Sequence, residues 1–184
     1  MNRFEIVKRK DGTTEEVQYK RLSVDYLDKI MELQGIIMNV LPDKQLYATS
    51  TKEEFKEYLE GKGEIIGCVT NDNRLIAMGV YAKLGFEKSN YGYDINLGEN
   101  DLLKVGQIES TVVLPDYRGN KLQMKICTIL EEIGRDKETP IMMATASPYN
   151  EFSLNTFLDL GYEVVKEKLK YGGLKRCILK KIAQ

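Results

Sequence analysis

The chain has 184 residues, 42% apolar and 30% charged, a length that fits about one domain of 100–200 residues and a balance that supplies a core beneath a solvated surface. Its 27 basic and 28 acidic residues leave a formal charge of −1, with no cationic excess to neutralise a nucleic-acid backbone. Histidine is absent altogether, which excludes a Ser-His-Asp triad, a Cys-His pair, an HExxH zinc site and a two-cysteine, two-histidine finger, since each needs an imidazole.

Chemistry must then come from carboxylates, Tyr, Lys, Cys or backbone dipoles. Cys68, Cys127 and Cys177 are far apart, form no CxxC pair and read as reduced structural thiols, with no metal site. The opening residues Met1-Asn2-Arg3-Phe4-Glu5 carry no apolar leader segment, and no apolar run approaches the roughly 18 residues of a membrane span. A cytoplasmic chain without membrane contact is the expectation.

In chain order, Phe4 to Lys8 and Val17 to Leu22 alternate around Asp11-Gly12, which predicts a β-hairpin. Ser23 is a candidate N-cap for a helix carrying Tyr26, Ile30, Leu33 and Ile37, weakened at Gly35 and ended by Leu41-Pro42. Thr51-Lys52-Glu53-Glu54 fits a capping box before a shorter helix. Ile65 to Thr70 and Leu75 to Tyr81 read as strands joined by a turn at Asn71-Asp72-Asn73.

Lys83 to Lys104 reads as a long loop with room for a short strand, and a loop of that length in a small domain is usually functional or mobile. Val105 to Leu114 is a strand ended by Pro115. After Arg118-Gly119 comes a helix with Ile126, Ile129, Leu130 and Ile133 on one stripe. Ile141 to Thr145 is a short strand, and a helix from about Glu151 carries Leu154, Phe157 and Leu158 on one face until Gly161. Tyr162 to Leu169 and Leu174 to Lys180 close as a hairpin around Tyr171-Gly172-Gly173.

The segment from Val112 to Met124 holds the most informative pattern. A strand breaks at proline, turns through glycine and launches a helix, so the backbone N–H groups of residues 119–123 gather near a dipole-positive helix N-terminus beside Arg118 and Lys121. A pyrophosphate site and an ordinary strand-to-helix turn with a solvated arginine are equally compatible with this physics.

Leu114-Pro115-Asp116-Tyr117-Arg118-Gly119-Asn120-Lys121-Leu122-Gln123 resembles the acetyl-CoA motif of the GNAT superfamily of N-acetyltransferases: Arg or Gln, two residues, Gly, one residue, Gly or Ala. Arg118 fits; Lys121 and Gln123 stand where the family usually has small residues. Asn150-Glu151-Phe152-Ser153, leading through Phe157 to Leu160-Gly161-Tyr162, resembles the family's next motif. The resemblance spans about residues 17–181. It implies an α/β (α+β) GNAT fold: a mixed, mostly antiparallel sheet of about six to seven strands flanked by about four helices, with an extra N-terminal strand or hairpin, in one domain over residues 1–184.

It also implies roles. The backbone of Thr111, Val112 and Val113 would pair with the pantetheine arm as an added strand. Amides of Gly119, Asn120, Lys121, Leu122, Gln123 and Met124 would hold the pyrophosphate beside Arg118. Asn150 would contact the pantetheine, a role compatible with simple N-capping. The Val113 N–H would polarise the thioester carbonyl. Lys121 is tolerated there if its φ is that of an ordinary helix start.

Glu109 is the candidate base, because an alkylammonium must lose a proton before it attacks; a salt-bridged or edge-exposed carboxylate is the equal alternative. Strand alternation places Glu109 on one face with Thr111 and Val113. The family's usual general-acid Tyr is Phe157 here, and the Glu that one branch carries on the neighbouring strand is Thr145. Tyr149, Tyr162 and Tyr171 are substitutes, each equally readable as a packing residue. Glu15-Glu16, Glu53-Glu54 and Glu131-Glu132 read as solvated pairs, and Cys127 lacks an activating partner.

The expected function is acetyl transfer from acetyl-CoA, with no metal, to a primary amine of a small molecule or peptide by direct transfer in a ternary complex. A non-catalytic CoA-binding or ligand-sensing domain is the alternative. A second copy of the chain is a candidate homodimer partner. Glu87, Asp94, Glu99 and Asp101 hint at a cationic acceptor, with surface solvation as the default explanation.

Overall fold

The computed structural model describes residues 3–182; Met1 and Asn2 of the opening segment, with residues 183 and 184, lie outside the described residues. Its strands are β1 (Arg3–Lys8), β2 (Thr14–Arg21), β3 (Gly63–Thr70), β4 (Leu75–Ala82), β5 (Val105–Val113), β6 (Ile141–Ala146), β7 (Glu163–Lys170) and β8 (Leu174–Ile182). Its helices are α1 (Leu27–Val40), α2 (Lys52–Glu57), α3 (Glu99–Leu102), α4 (Leu122–Asp136) and α5 (Glu151–Asp159). One eight-stranded sheet runs in the order β1-β2-β3-β4-β5-β6-β8-β7. Every pairing is antiparallel except β5 with β6.

Burial follows from this order. β4, Leu-Ile-Ala-Met-Gly-Val-Tyr-Ala, is apolar throughout and buried at every position, as expected where α1 and α4 both pack on it. The α4 stripe Ile126, Ile129, Leu130 and Ile133 is buried. β7, at the far edge, is largely exposed and lysine-rich, a composition that discourages strand addition.

The expected mixed, mostly antiparallel sheet is present: six strands and the N-terminal hairpin make eight, with five helices among the described residues. Several other expectations change. The Lys83–Lys104 segment holds no strand: it contains a short turn over Tyr91–Ile95 and then α3. The side chain of Asn90 pins it, with Nδ2 donating to the carbonyls of Gly85 and Leu102 at 2.7 and 3.1 Å. Asp94, read as a surface acid, is buried and paired with Lys168 and Lys170. Glu131 is likewise buried, because Lys181 of β8 reaches its Oε2 at 2.7 Å. Leu158 is exposed where the α5 stripe was expected to bury it.

Ser23 makes no side-chain cap, and its segment opens as a short turn over Val24–Tyr26 before α1. The capping box does form: Thr51 Oγ1 accepts from the Glu54 N–H at 3.1 Å, and Glu54 Oε2 accepts from the Thr51 N–H at 2.7 Å. Because α2 leads directly into Tyr58, Thr51→Ala is expected to cost about 1 kcal/mol in urea unfolding, a typical cap value.

Candidate active site

The parallel ladder between β5 and β6 runs from Val105 opposite Ile141 to Ile108 opposite Ala144. Beyond Ile108 the two strands part. On its other side β5 stays paired with β4, but Val80 faces Glu109 while Met78 faces Val112, so Ser110 and Thr111 together oppose the single residue Gly79. Ser110 takes φ 48°, and this bulge bends β5 away from β6.

The bulge also corrects the expected alternation. A Cβ on Gly79 would meet Ile126 and Leu130 of α4 and the Thr111 methyl, so Thr111 lies on the α4 face. Residues paired across a ladder share a face, and successive residues alternate. Glu109 and Val112 therefore face the α1 side with Val80 and Met78, and Glu109 does not share a face with Thr111 and Val113. The Leu114 N–H donates to the Ile76 carbonyl at 2.8 Å; one residue back, the Val113 N–H is directed to the opposite edge, toward the gap.

The gap opens into a cleft of about 600 Å³ lined from the loop after α1, α2, the bulge, the end of β6, the start of α5 and the β7–β8 turn. Glu109 is half-buried in it. The Tyr58 hydroxyl donates to its Oε2 at 2.7 Å, and the Gln107 amide donates to its Oε1. Burial pushes the Glu109 carboxyl above the usual carboxylate range; hydrogen bonds from Tyr58, Gln107 and Tyr91 oppose that rise, and the Glu54 charge adds to it. Glu109 is thus neither ion-paired nor an edge residue.

Tyrosines surround it. The Tyr91 hydroxyl lies 2.7 Å from that of Tyr171, which lies 3.1 Å from Thr145 Oγ1. Burial raises the pKa of Tyr171, keeping it a neutral phenol, and pushes Tyr47 up to about 12. Of the three tyrosines read as substitutes, Tyr171 lines the cleft. Tyr149 is exposed, and Tyr162 is a core residue edge-on to Phe157 at 5.2 Å. Phe157 itself reaches the cleft wall without a hydroxyl. Cys127 is buried, and its thiol pKa is raised by that burial.

The sequence left Tyr47, Tyr91 and Arg176 unremarked and gave Tyr58 only a packing place on the shorter helix with Phe55 and Leu59, since a lone aromatic or arginine carries no spacing signal for a site. They converge through tertiary folding alone.

The anion loop stands at the outer end of β5, outside the cleft lining. Arg118 and Gly119 are exposed, and Gly119 has φ 94° with nothing within 4 Å of where a Cβ would lie. Lys121 is the residue before α4 and takes φ 57°, which removes the expected ordinary helix-start conformation. Lys121→Gly is expected to stabilise the fold by about 1 kcal/mol in chemical unfolding, since an L side chain is disfavoured in the left-handed region.

The first turn of α4, Leu122, Gln123 and Met124, leaves its amides for capping or a ligand, while the Leu122 side chain belongs to the core. Asn120 accepts from the Lys8 N–H at 2.9 Å and donates to the Lys8 and Tyr117 carbonyls at 2.8 Å, tying the loop to β1. Gln123 Nε2 donates to Thr111 Oγ1 at 3.0 Å and to Ser153 Oγ at 2.9 Å, spanning from β5 to α5. Asn150 caps α5 by accepting from the Ser153 N–H at 3.2 Å, and its Nδ2 reaches the Leu46 carbonyl at 3.4 Å.

A sheet that parts between its two parallel strands, above a bulge and beside a helix N-terminus, accords with the sequence comparison, in which the Acetyltransferase (GNAT) family matches residues 36–162. The chain belongs to the GNAT acetyltransferase family. No curated protein sequence matches the chain. Among solved structures, this GNAT domain is similar to yncA of Salmonella typhimurium with its cofactor acetyl-CoA, at 12% identity and TM-score 0.68 over 91% of this chain and 94% of that one. It is also similar to the ribosomal-protein-alanine N-acetyltransferase of Brucella melitensis, at 14% identity and TM-score 0.67 over 89% and 98%. Arabidopsis thaliana NAA60 in complex with a bisubstrate analogue gives 11% identity and TM-score 0.69 over 91% and 99%. Among the described residues, no helix of this GNAT protein is long and apolar enough to cross a membrane.

Proposed function

We propose that this GNAT protein is a cytoplasmic N-acyltransferase that moves an acetyl group from acetyl-CoA to the primary amine of a small molecule or peptide, both substrates being bound together. The observation that carries the reading is Glu109: a carboxylate in a tyrosine-lined cleft where β5 bulges away from β6. An ionisable group partly withdrawn from water, with no counter-ion among the described residues, is costly unless chemistry uses it.

The residues present suit acetyl-CoA. The open edge of β5 at Thr111–Val113 offers main-chain groups to the pantetheine, and the Val113 N–H, directed to the same edge, is the donor this reading gives to the thioester carbonyl. Arg118, Gly119 and the amides from Asn120 to Met124 form the diphosphate end. Asn150 borders the cleft on its far side. The side chain of Gln123 has to swing out of its bridge to let the arm pass.

In the reaction, Glu109 accepts a proton from the acceptor ammonium, directly or through one water. The freed nitrogen would form a bond to the thioester carbonyl carbon as the C–S bond breaks; the thiolate would take a proton from Tyr171, and the second proton released by the nitrogen as the amide forms would restore that phenol through the Tyr91–Tyr171–Thr145 hydroxyl network. Holding amine and thioester together supplies much of the rate.

Calorimetric titration with acetyl-CoA, followed by thiol release over an amine panel, tests this. Binding with turnover on at least one amine supports the enzyme. Binding with no thiol release on any amine favours a ligand-sensing domain, and no binding overturns both.

A further inference from the structure

Arg176 lies on β8 with 3% of its surface exposed. Its Nη1 donates to the Lys175 carbonyl at 2.7 Å, while Nη2 is buried and has no hydrogen-bond partner among the described residues. Of the buried side-chain atoms left without such a partner, Nη2 belongs to the one residue that lines the cleft. Its guanidinium lies over the Tyr171 ring at 5.9 Å, and the Tyr171 hydroxyl meets that of Tyr91, which in turn hydrogen-bonds Glu109.

An unpaired buried guanidinium donor is expensive, and its planar fork matches a carboxylate better than any other small group. Burial also lowers the Arg176 pKa, and the nearby Tyr171 and Tyr91 offset this only in part. The neighbouring charges agree. Lys168 and Lys170 share the single carboxylate of Asp94, which leaves this wall positive. The α2 wall is the reverse: Glu57 and Glu87 share Lys62, at 2.9 and 3.4 Å. One end of the cleft is therefore basic and the other acidic, a polarity that suits a zwitterion.

We propose that Arg176 receives a carboxylate of the acceptor, so that the acceptors are amino carboxylic acids carrying the amine toward Glu109 and the acid toward Nη2. The assignment rests on the acyl-transfer reading and narrows it. A site whose buried donor is matched by the correct substrate rejects the analogue lacking that group strongly, because the donor is then left bare.

The test compares thiol release from acetyl-CoA with the standard L-amino acids, β-alanine and 4-aminobutyrate, with their carboxamides, and with butylamine and spermidine. At least one acid is expected to exceed its own carboxamide in kcat/KM by about a hundredfold. Arg176→Gln should raise KM for that acid by a similar factor, collapse the acid-to-carboxamide ratio and leave acetyl-CoA affinity unchanged; Arg176→Lys should retain part of the preference. The acid-to-carboxamide ratio of the unaltered protein decides the matter even where a variant folds poorly. Equal or better turnover of carboxamides or of the simple amines overturns the carboxylate assignment while leaving acyl transfer standing. Bound acetyl-CoA with no thiol release on any acceptor overturns acyl transfer, and the assignment with it.

Discussion

Glu109→Gln is expected to lower kcat/KM for the acceptor amine by about 100-fold or more, within the range of a lost general base, while acetyl-CoA affinity stays unchanged. The amide keeps the shape and its oxygen can still accept from Tyr58, at the cost of the bond that Oε1 accepts from Gln107, so the fold around the bulge is preserved while proton acceptance is lost. The pH profile gives the second readout. Since burial raises the Glu109 pKa, the acid limb of kcat/KM should lie above the usual carboxylate range and should vanish in Glu109→Gln.

Stability should move the opposite way. A carboxyl whose pKa is raised on folding binds its proton more tightly in the folded state, so its contribution is fully present below the unfolded value of 4.5 and is lost as pH rises through the folded value. At neutral pH the charged Glu109 is a cost that glutamine removes. The variant should therefore melt higher than the parent at pH 7 to 8 and level with it near pH 4, as read by thermal unfolding. Lower activity with higher stability separates a working base from a packing residue, which would lose both.

Much of this architecture was legible in the sequence because its signals are local. The Thr51 capping box, the Asp11-Gly12 turn and the α4 stripe each sit within a few residues, and each formed. The site was legible only in part. Glu109 stood out as a carboxylate inside an apolar strand, but its face was misassigned, because the bulge at Ser110 depends on pairing with β4 some thirty positions earlier and leaves no mark in the alternation of β5. Asp94 and Glu131 look like ordinary surface acids, and only tertiary folding brings Lys168, Lys170 and Lys181 over them. Lys121 presents the same limit in backbone terms, since its residue type gave no warning of the left-handed φ that the turn after Gly119 imposes.

Gln123→Ala is expected to tighten acetyl-CoA binding by about tenfold in calorimetry. Two hydrogen bonds from Nε2, to Thr111 Oγ1 at 3.0 Å and to Ser153 Oγ at 2.9 Å, close the span between β5 and α5 that the pantetheine arm would use. Each bond contributes about 0.5–1.5 kcal/mol net, so opening the bridge costs about 1–3 kcal/mol of the binding free energy, and an alanine removes that cost. Both hydroxyls remain near the surface and can pair with water or with the amides of the arm, so the substitution leaves no buried donor bare. An unchanged or weaker affinity would place the arm elsewhere and make the bridge a structural tie between α4 and α5; unfolding then reports the loss as lower stability. The association rate should rise along with the affinity, because the side chain must leave before the arm can enter, whereas a tie remote from the path would alter neither.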